Sequence, residues 1–280
     1  MGSRLPRENR ISGSDGLTLE LIGEPARQPS APRRAPLLFI HGAFAGAWVW
    51  QYNYLPYFAG LGYDAFALSL RGHGASEGRD RLATTTLKDY VNDLKSVAAQ
   101  FERPPILIGH SMGGLVVDMA LSSRVNASAA VLLAAVPPTG MGPAAMHTML
   151  SDPAMIWQMF LLQSMGPSWV DPQCVQRAIF ADPPERELVL EYFGQSQSES
   201  QLALSELAIP YWPCSSLGQV PVGVVGAEKD AIVLPWMVST TAWFHGVEPY
   251  WIPGAGHATM LEDGWIHGAE IVTKCLGTLG

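Results

Sequence analysis

Basic charge is scarce in this 280-residue chain: 17 lysines and arginines stand against 25 aspartates and glutamates, a formal net charge of −8 at pH 7. Such a balance repels a phosphate backbone, and no local basic patch offsets it, so nucleic acid is excluded as a partner. The one basic doublet, Arg33-Arg34 in "PSAPRRAP", reads as a solvated loop. Cysteine is nearly missing too. Cys174, Cys214 and Cys275 have no C-x-x-C spacing, which excludes a disulfide framework and a zinc site and leaves them as small hydrophobic residues; no metal is expected. No apolar run approaches the length of a membrane span. The opening "MGSRLPRENRISGSDG" lacks the apolar core of a secretory signal, so the expected location is cytoplasmic, with residues 1–15 a flexible segment. The acceptor triplet Asn126-Ala127-Ser128 is then idle.

What the chain does have is apolar residues, 48% of the total, in a patterned order. Short β-like runs recur at 17–22, 36–40, 63–70, 105–109, 129–136, 222–226 and 247–252. Helical spacing fills the gaps, as at Leu87, Tyr90, Val91, Leu94 and Val97, with Thr85 or Thr86 as the cap. That alternation predicts an α/β domain with a mostly parallel sheet. It breaks between Pro137 and about Val220, where methionine, tryptophan and proline accumulate. The reading is a core of residues 16–137 and 216–280 interrupted by a mainly helical cap, 138–215.

The segment "ILIGHSMGGLVVDMA", 106–120, sets a polar pair, His110-Ser111, between a buried strand and a buried helix, with Gly109 and Gly113 at the spacing G-x-S-x-G. Missing side chains there let strand and helix approach, so that the serine takes a strained, exposed corner. A serine hydroxyl is a poor nucleophile at neutral pH. It needs a histidine to take its proton and an acid to hold that histidine's tautomer. "GAEKDAIVLP" places Asp230 after one strand and "PGAGHATML" places His257 after the next; both fall at carboxyl ends, where open α/β sheets gather ligand sites. Glu228 comes too early in its loop and Asp263 follows the histidine, so Asp230 is the expected acid. The other histidines read as structural or solvated. In "LSLRGHGASEG", 68–78, Glu77 stands where a dinucleotide fingerprint needs glycine, so the Rossmann reading fails.

The order Ser111, Asp230, His257, with an upstream "HG" loop, resembles the α/β-hydrolase superfamily from about residue 16 to the end. The resemblance implies the α/β-hydrolase fold: a mostly parallel central sheet flanked by helices, with the helical cap inserted. It implies an oxyanion hole built from the N–H of Met112 and that of Ala43, with Phe44 as the alternative to Ala43. "HGAFAGAWVW", 41–50, is similar to the HG-x-x-x-GAW loop of methylesterases and hydroxynitrile lyases, His41 and Gly42 shaping the turn. The lyases carry a lysine close behind the histidine; here Ala258, Thr259 and Met260 follow, which argues against lyase activity. Ser111 excludes the aspartate-dependent dehalogenases.

The expected activity is that of a cofactor-free serine hydrolase acting through an acyl-enzyme on a carboxylic ester, its partner a small to medium, largely apolar substrate. Carbon-carbon bond hydrolase, lactonase and perhydrolase use the same triad, and a hydrolase-like ligand sensor is the non-enzyme alternative. Phe44, His110, Met155, Met159 and Phe160 are the expected pocket residues. The apolar face of 149–162 has a homodimer contact as its other use.

Overall fold

The computed structural model describes residues 10–28, 34–212 and 220–279; Arg33, Cys214 and the last part of the 138–215 segment lie outside the described residues. The strands are β1 (Arg10–Ser12), β2 (Thr18–Glu24), β3 (Leu37–Ile40), β4 (Ala65–Leu68), β5 (Ile106–His110), β6 (Ala129–Leu133), β7 (Val222–Ala227) and β8 (Tyr250–Ile252). They form one sheet in the order β1-β2-β4-β3-β5-β6-β7-β8, parallel from β4 to β8, with β1 and β2 antiparallel at one edge.

The helices, in chain order, are α1 (Trp48–Gln51), α2 (Tyr54–Gly60), α3 (Leu87–Ala98), α4 (Met112–Ser122), α5 (Gly142–Ser151), α6 (Pro153–Met165), α7 (Pro172–Ile179), α8 (Arg186–Gln195), α9 (Gln201–Leu207), α10 (Pro235–His245) and α11 (Trp265–Leu276). Because β3 and β6 are buried along their whole length, both sheet faces must be covered, and strand alternation divides the core in two. Leu38 and Ile40 pack with residues of α3, α4 and α10; Leu37 and Phe39 pack with residues of α1, α2 and α11. The helix starts follow local chemistry. Thr86 and Asp89 form a reciprocal capping box at α3, with the Thr86 N–H 2.8 Å from Asp89 Oδ2 and the Asp89 N–H 3.1 Å from Thr86 Oγ1.

Among the described residues five helices, α5 to α9, intervene between β6 and β7. Asp152-Pro153 and Asp171-Pro172 each put a capping carboxylate before a first-turn proline, accepting from the Met155 N–H at 3.1 Å and the Gln173 N–H at 3.0 Å. A buried polar knot fastens this excursion to the core. Glu199 accepts from the Tyr90 hydroxyl at 2.5 Å and the Ser200 N–H at 2.7 Å, and its Oε2 lies 3.0 Å from His73 Nε2, off-axis for a hydrogen bond. Burial alone would raise the Glu199 carboxyl, but His73, Tyr90 and the Ser200 N–H together hold it below its ordinary range.

Two expectations change at the chain's ends and edges. Of the segment 1–15, residues 1–9 lie outside the described residues, while 10–15 are tied to the sheet: β1 pairs with β2, Ile11 is buried, and the Arg71 guanidinium bonds Asp15 and Ser14 while gripping Asp93. A three-residue edge strand has no periodicity to read, and the side chains that hold the turn after it, Arg71 and Asp93, lie far along the chain. The 129–136 run stops being a strand at Leu133 because Ala134 turns to φ 43°. No helix of the described residues is long and apolar enough to cross a membrane.

Candidate active site

Ser111 sits between β5 and α4 at φ 54°, ψ −121°, a conformation that costs an L-residue on the order of 1–3 kcal/mol. Its neighbours enforce it. The Ser111 N–H donates to the Leu133 carbonyl at 3.1 Å, while the Ser111 carbonyl accepts from Gly114 at 3.0 Å and Val136 at 3.1 Å. The flanking glycines are there for space: a Cβ at Gly109 would strike the Gly113 carbonyl, and one at Gly113 would strike the His41 carbonyl. Backbone cannot retreat as a flexible side-chain tip does. Gly113→Ala is therefore expected to destabilise the fold by about 1–3 kcal/mol or more, read from a denaturant midpoint shift at constant m-value; an unshifted midpoint would show that the corner has slack.

The loops after β7 and β8 bring Asp230 and His257 together. His257 Nδ1 lies 2.8 Å from Asp230 Oδ2, and both residues are buried. Asp230 Oδ1 is separately occupied, accepting from the Ile232 N–H at 2.8 Å and the Val233 N–H at 2.9 Å. The carboxylate is thus fixed at both oxygens before it meets the ring. His110, next to Ser111, packs against His257 with the rings tilted at 47° and 4.6 Å between centroids, its Nε2 2.9 Å from the His257 carbonyl oxygen. Burial first, and His257 second, push His110 well below the ordinary histidine value, so it stays neutral and donates from Nε2.

On the other side of Ser111, the loop after β3 is braced by His41. Its Nε2 accepts from the Leu70 N–H at 3.0 Å and its Nδ1 lies 2.7 Å from the Gly42 carbonyl oxygen; burial and nearby His73 lower it to about 3. A Cβ on Gly42 would lie 3.0 Å from Ser111 Cβ, so this loop rests directly on the corner. Phe44 turns through φ 64°, and its carbonyl accepts from the Gln197 N–H at 3.0 Å. Met112 is the first residue of α4, where backbone N–H groups have no intrahelical acceptor.

Ser111, His257, Gly42, Ala43, Phe44 and Met112 line one cavity of about 430 Å³. His110, Met155 and Met159 also line it. Phe160 does not: it is 54% exposed and stacks on Trp157 at 5.4 Å between centroids. The correction follows from helix phase. At roughly 100° per residue, Met155, Met159 and Leu162 share a stripe, while Phe160 lies about 140° around from Met155. Ile179 and Phe180, at the end of α7, and Tyr192 and Phe193 of α8 complete wall that sequence reasoning missed; the alternation of apolar and polar residues in α7 was its only signal. Among the described residues lining the cavity there is no Asp, Glu, Lys or Arg.

The rival acids stand elsewhere. Glu228 is exposed and accepts from the Gly254 N–H at 3.1 Å, Asp263 is exposed, and Asp171 caps α7. His245 lies 3.2 Å from Asp118, away from the cavity lining. Among the described residues no group of three or more His, Cys, Asp or Glu side chains is arranged to hold a metal ion.

A family model described as "Alpha/beta hydrolase family" matches residues 37–268. Methylesterase 3 of Arabidopsis thaliana is 26% identical over 144 residues, 50% of each chain, and salicylic acid-binding protein 2 of Nicotiana tabacum is 26% identical over 160 residues, 56% of each. The alignments thus span about half the length of these curated relatives. An esterase from Exiguobacterium antarcticum superposes with a TM-score of 0.75 at 18% identity, over 95% of this chain and 98% of that one. At that identity the likeness establishes the fold.

Proposed function

The chain belongs to the alpha/beta hydrolase family, and from that premise we propose that it is a serine hydrolase of neutral, largely apolar carboxylic esters, working through an acyl-enzyme without a cofactor. The observation that carries the reading is the convergence, on one uncharged cavity, of a strained serine and a histidine already paired with a buried acid. In this mechanism His257 Nε2 takes the proton as Ser111 Oγ bonds to the ester carbonyl carbon. Asp230, accepting from Nδ1–H, holds the ring in the tautomer that leaves Nε2 free to do so. The N–H groups of Met112 and Ala43 receive the oxyanion. Collapse expels the alkoxide, which leaves as alcohol with the proton from His257; water then repeats the sequence against the acyl-enzyme and releases the acid.

The segment 138–215 acts as the cap over this chemistry. Through Met155, Met159 and Leu162 it supplies apolar wall, and a charged group on the substrate would find no partner of opposite sign there. The test is labelling of Ser111 by a fluorophosphonate followed by turnover on a panel of esters, lactones and carbon-carbon substrates. Absence of labelling overturns the reading; labelling with negligible turnover of every member marks a ligand sensor.

Acyl length probes the wall. Each buried methylene should contribute about 0.8 kcal/mol, roughly fourfold in kcat/KM, until the space is filled. p-Nitrophenyl esters are expected to improve from acetate to about hexanoate and then level, and Met159→Asp is expected to flatten that series with labelling intact. Phe160→Asp, on the outer face, should leave the series unchanged. A flat series in the parent would remove the wall assignment, and a Phe160→Asp variant altered only in oligomeric state would assign the outer face to a second copy of the chain.

A further inference from the structure

Glu262 has no part in the chemistry above, yet it is among the most buried charged residues of the structure, at 3% exposure. No ion pair reaches it among the described residues. Its carboxylate is held by backbone alone: Oε1 accepts from the Gly256 N–H at 2.9 Å and the Ala181 N–H at 2.6 Å, with the Asp182 N–H at 3.5 Å, and Oε2 lies 3.1 Å from the Gly256 nitrogen. Gly256 is the residue before His257. Ala181 follows Ile179 and Phe180, which line the cavity.

We infer that Glu262 is a positioning residue for the base: one carboxylate fixes the peptide that enters His257 to the 179–182 strip of cavity wall, so that ring and wall hold a common alignment. The inference rests on the reading of His257 as base. Three independent features support it. A Cβ at Gly256 would come within 2.5 Å of the Ala181 nitrogen and 2.7 Å of Glu262 Oε1, so the close approach that lets both N–H groups share one oxygen needs glycine there. The same two stretches are tied on either side of the carboxylate, by the Ala258 N–H to the Ile179 carbonyl at 2.8 Å and the Asp263 N–H to the Asp182 carbonyl at 3.2 Å. The acid's loop joins them through the Lys229 N–H and the Ala255 carbonyl, 2.9 Å apart. Burial holds the Glu262 carboxyl above its ordinary range, and the backbone N–H groups of Ala181, Gly256 and Asp182 offset part of that rise.

Displacing a reacting group by about 1 Å can cost 10²-fold in rate. Glu262→Ala, which removes the shared acceptor, is therefore expected to lower kcat per fluorophosphonate-titrated serine by about 10- to 100-fold, with KM changed by less than about threefold. Glu262→Gln retains one acceptor oxygen and should recover most of that loss. Should the alanine variant not fold, Glu262→Asp carries the test: one methylene shorter, its carboxylate cannot span both N–H groups, and the same kcat loss is expected. A kcat per titrated serine equal to the parent's, with only Tm or the titratable fraction reduced, overturns the inference; so does a rise in KM alone, which would confine Glu262 to the wall. A parent that neither labels nor turns over overturns the serine-hydrolase reading itself, and the inference with it.

Discussion

Alanine at Ser111 is expected to lower kcat by about five to six orders of magnitude while leaving the unfolding midpoint where it was. The two halves of that result come from different parts of the corner. The backbone bonds of residue 111 to Leu133, Gly114 and Val136 do not involve the hydroxyl, and alanine at φ 54° is strained as serine is, so the fold loses nothing it depends on. The proposed chemistry, by contrast, loses its only covalent participant; what remains of it is binding and the N–H groups assigned to the oxyanion. Stopped ester assays at high enzyme concentration, beside thermal unfolding of the same samples, measure both. Turnover that survives the substitution would end the serine-hydrolase reading.

For Asp230→Asn the expected loss in kcat is about 10⁴, and the geometry gives its reason. The Ile232 and Val233 N–H groups both point at Oδ1 and would hold the amide oxygen there. The amide NH₂ is then forced into the place of Oδ2, facing His257 Nδ1 at the distance now spanned by 2.8 Å. A donor in that place requires a bare Nδ1, which moves the ring proton to Nε2, where it blocks acceptance from Ser111. Glu228→Gln and Asp263→Asn alter exposed side chains and should leave kcat within about twofold. If either does more damage than Asp230→Asn at equal stability, the acid has been misassigned.

How far the sequence shows this arrangement depends on the range of the interactions involved. The Ser111 corner is legible because its requirements are local: a strand, two glycines and a helix within fifteen residues. Strands buried on both faces announce themselves as unbroken apolar runs, as in Leu37–Ile40 and Ala129–Leu133. Phe160 was misplaced because α6 is apolar nearly all round, so composition could not say which stripe faces inward. β1 is too short to show a period. Glu262 was invisible for a different reason: its partners are backbone N–H groups of residues 181, 182 and 256, and no side-chain pattern marks a peptide that needs an acceptor.

The order of the parts along the chain also has a bearing on how the protein is made. Ser111 lies at the end of β5, while Asp230 and His257 follow β7 and β8, the last strands of the sheet. On a ribosome adding about 5–20 residues per second, Ser111 emerges on the order of ten seconds before His257. Until β7 emerges, β6 has no neighbour on the side that β7 will take, and until the loop after β8 follows, the cavity lacks the wall that His257, Ala258, Met260 and Leu261 form. On the proposed mechanism a nascent chain would thus carry Ser111 without its base, and hydrolysis would begin only when the loop after β8 had docked.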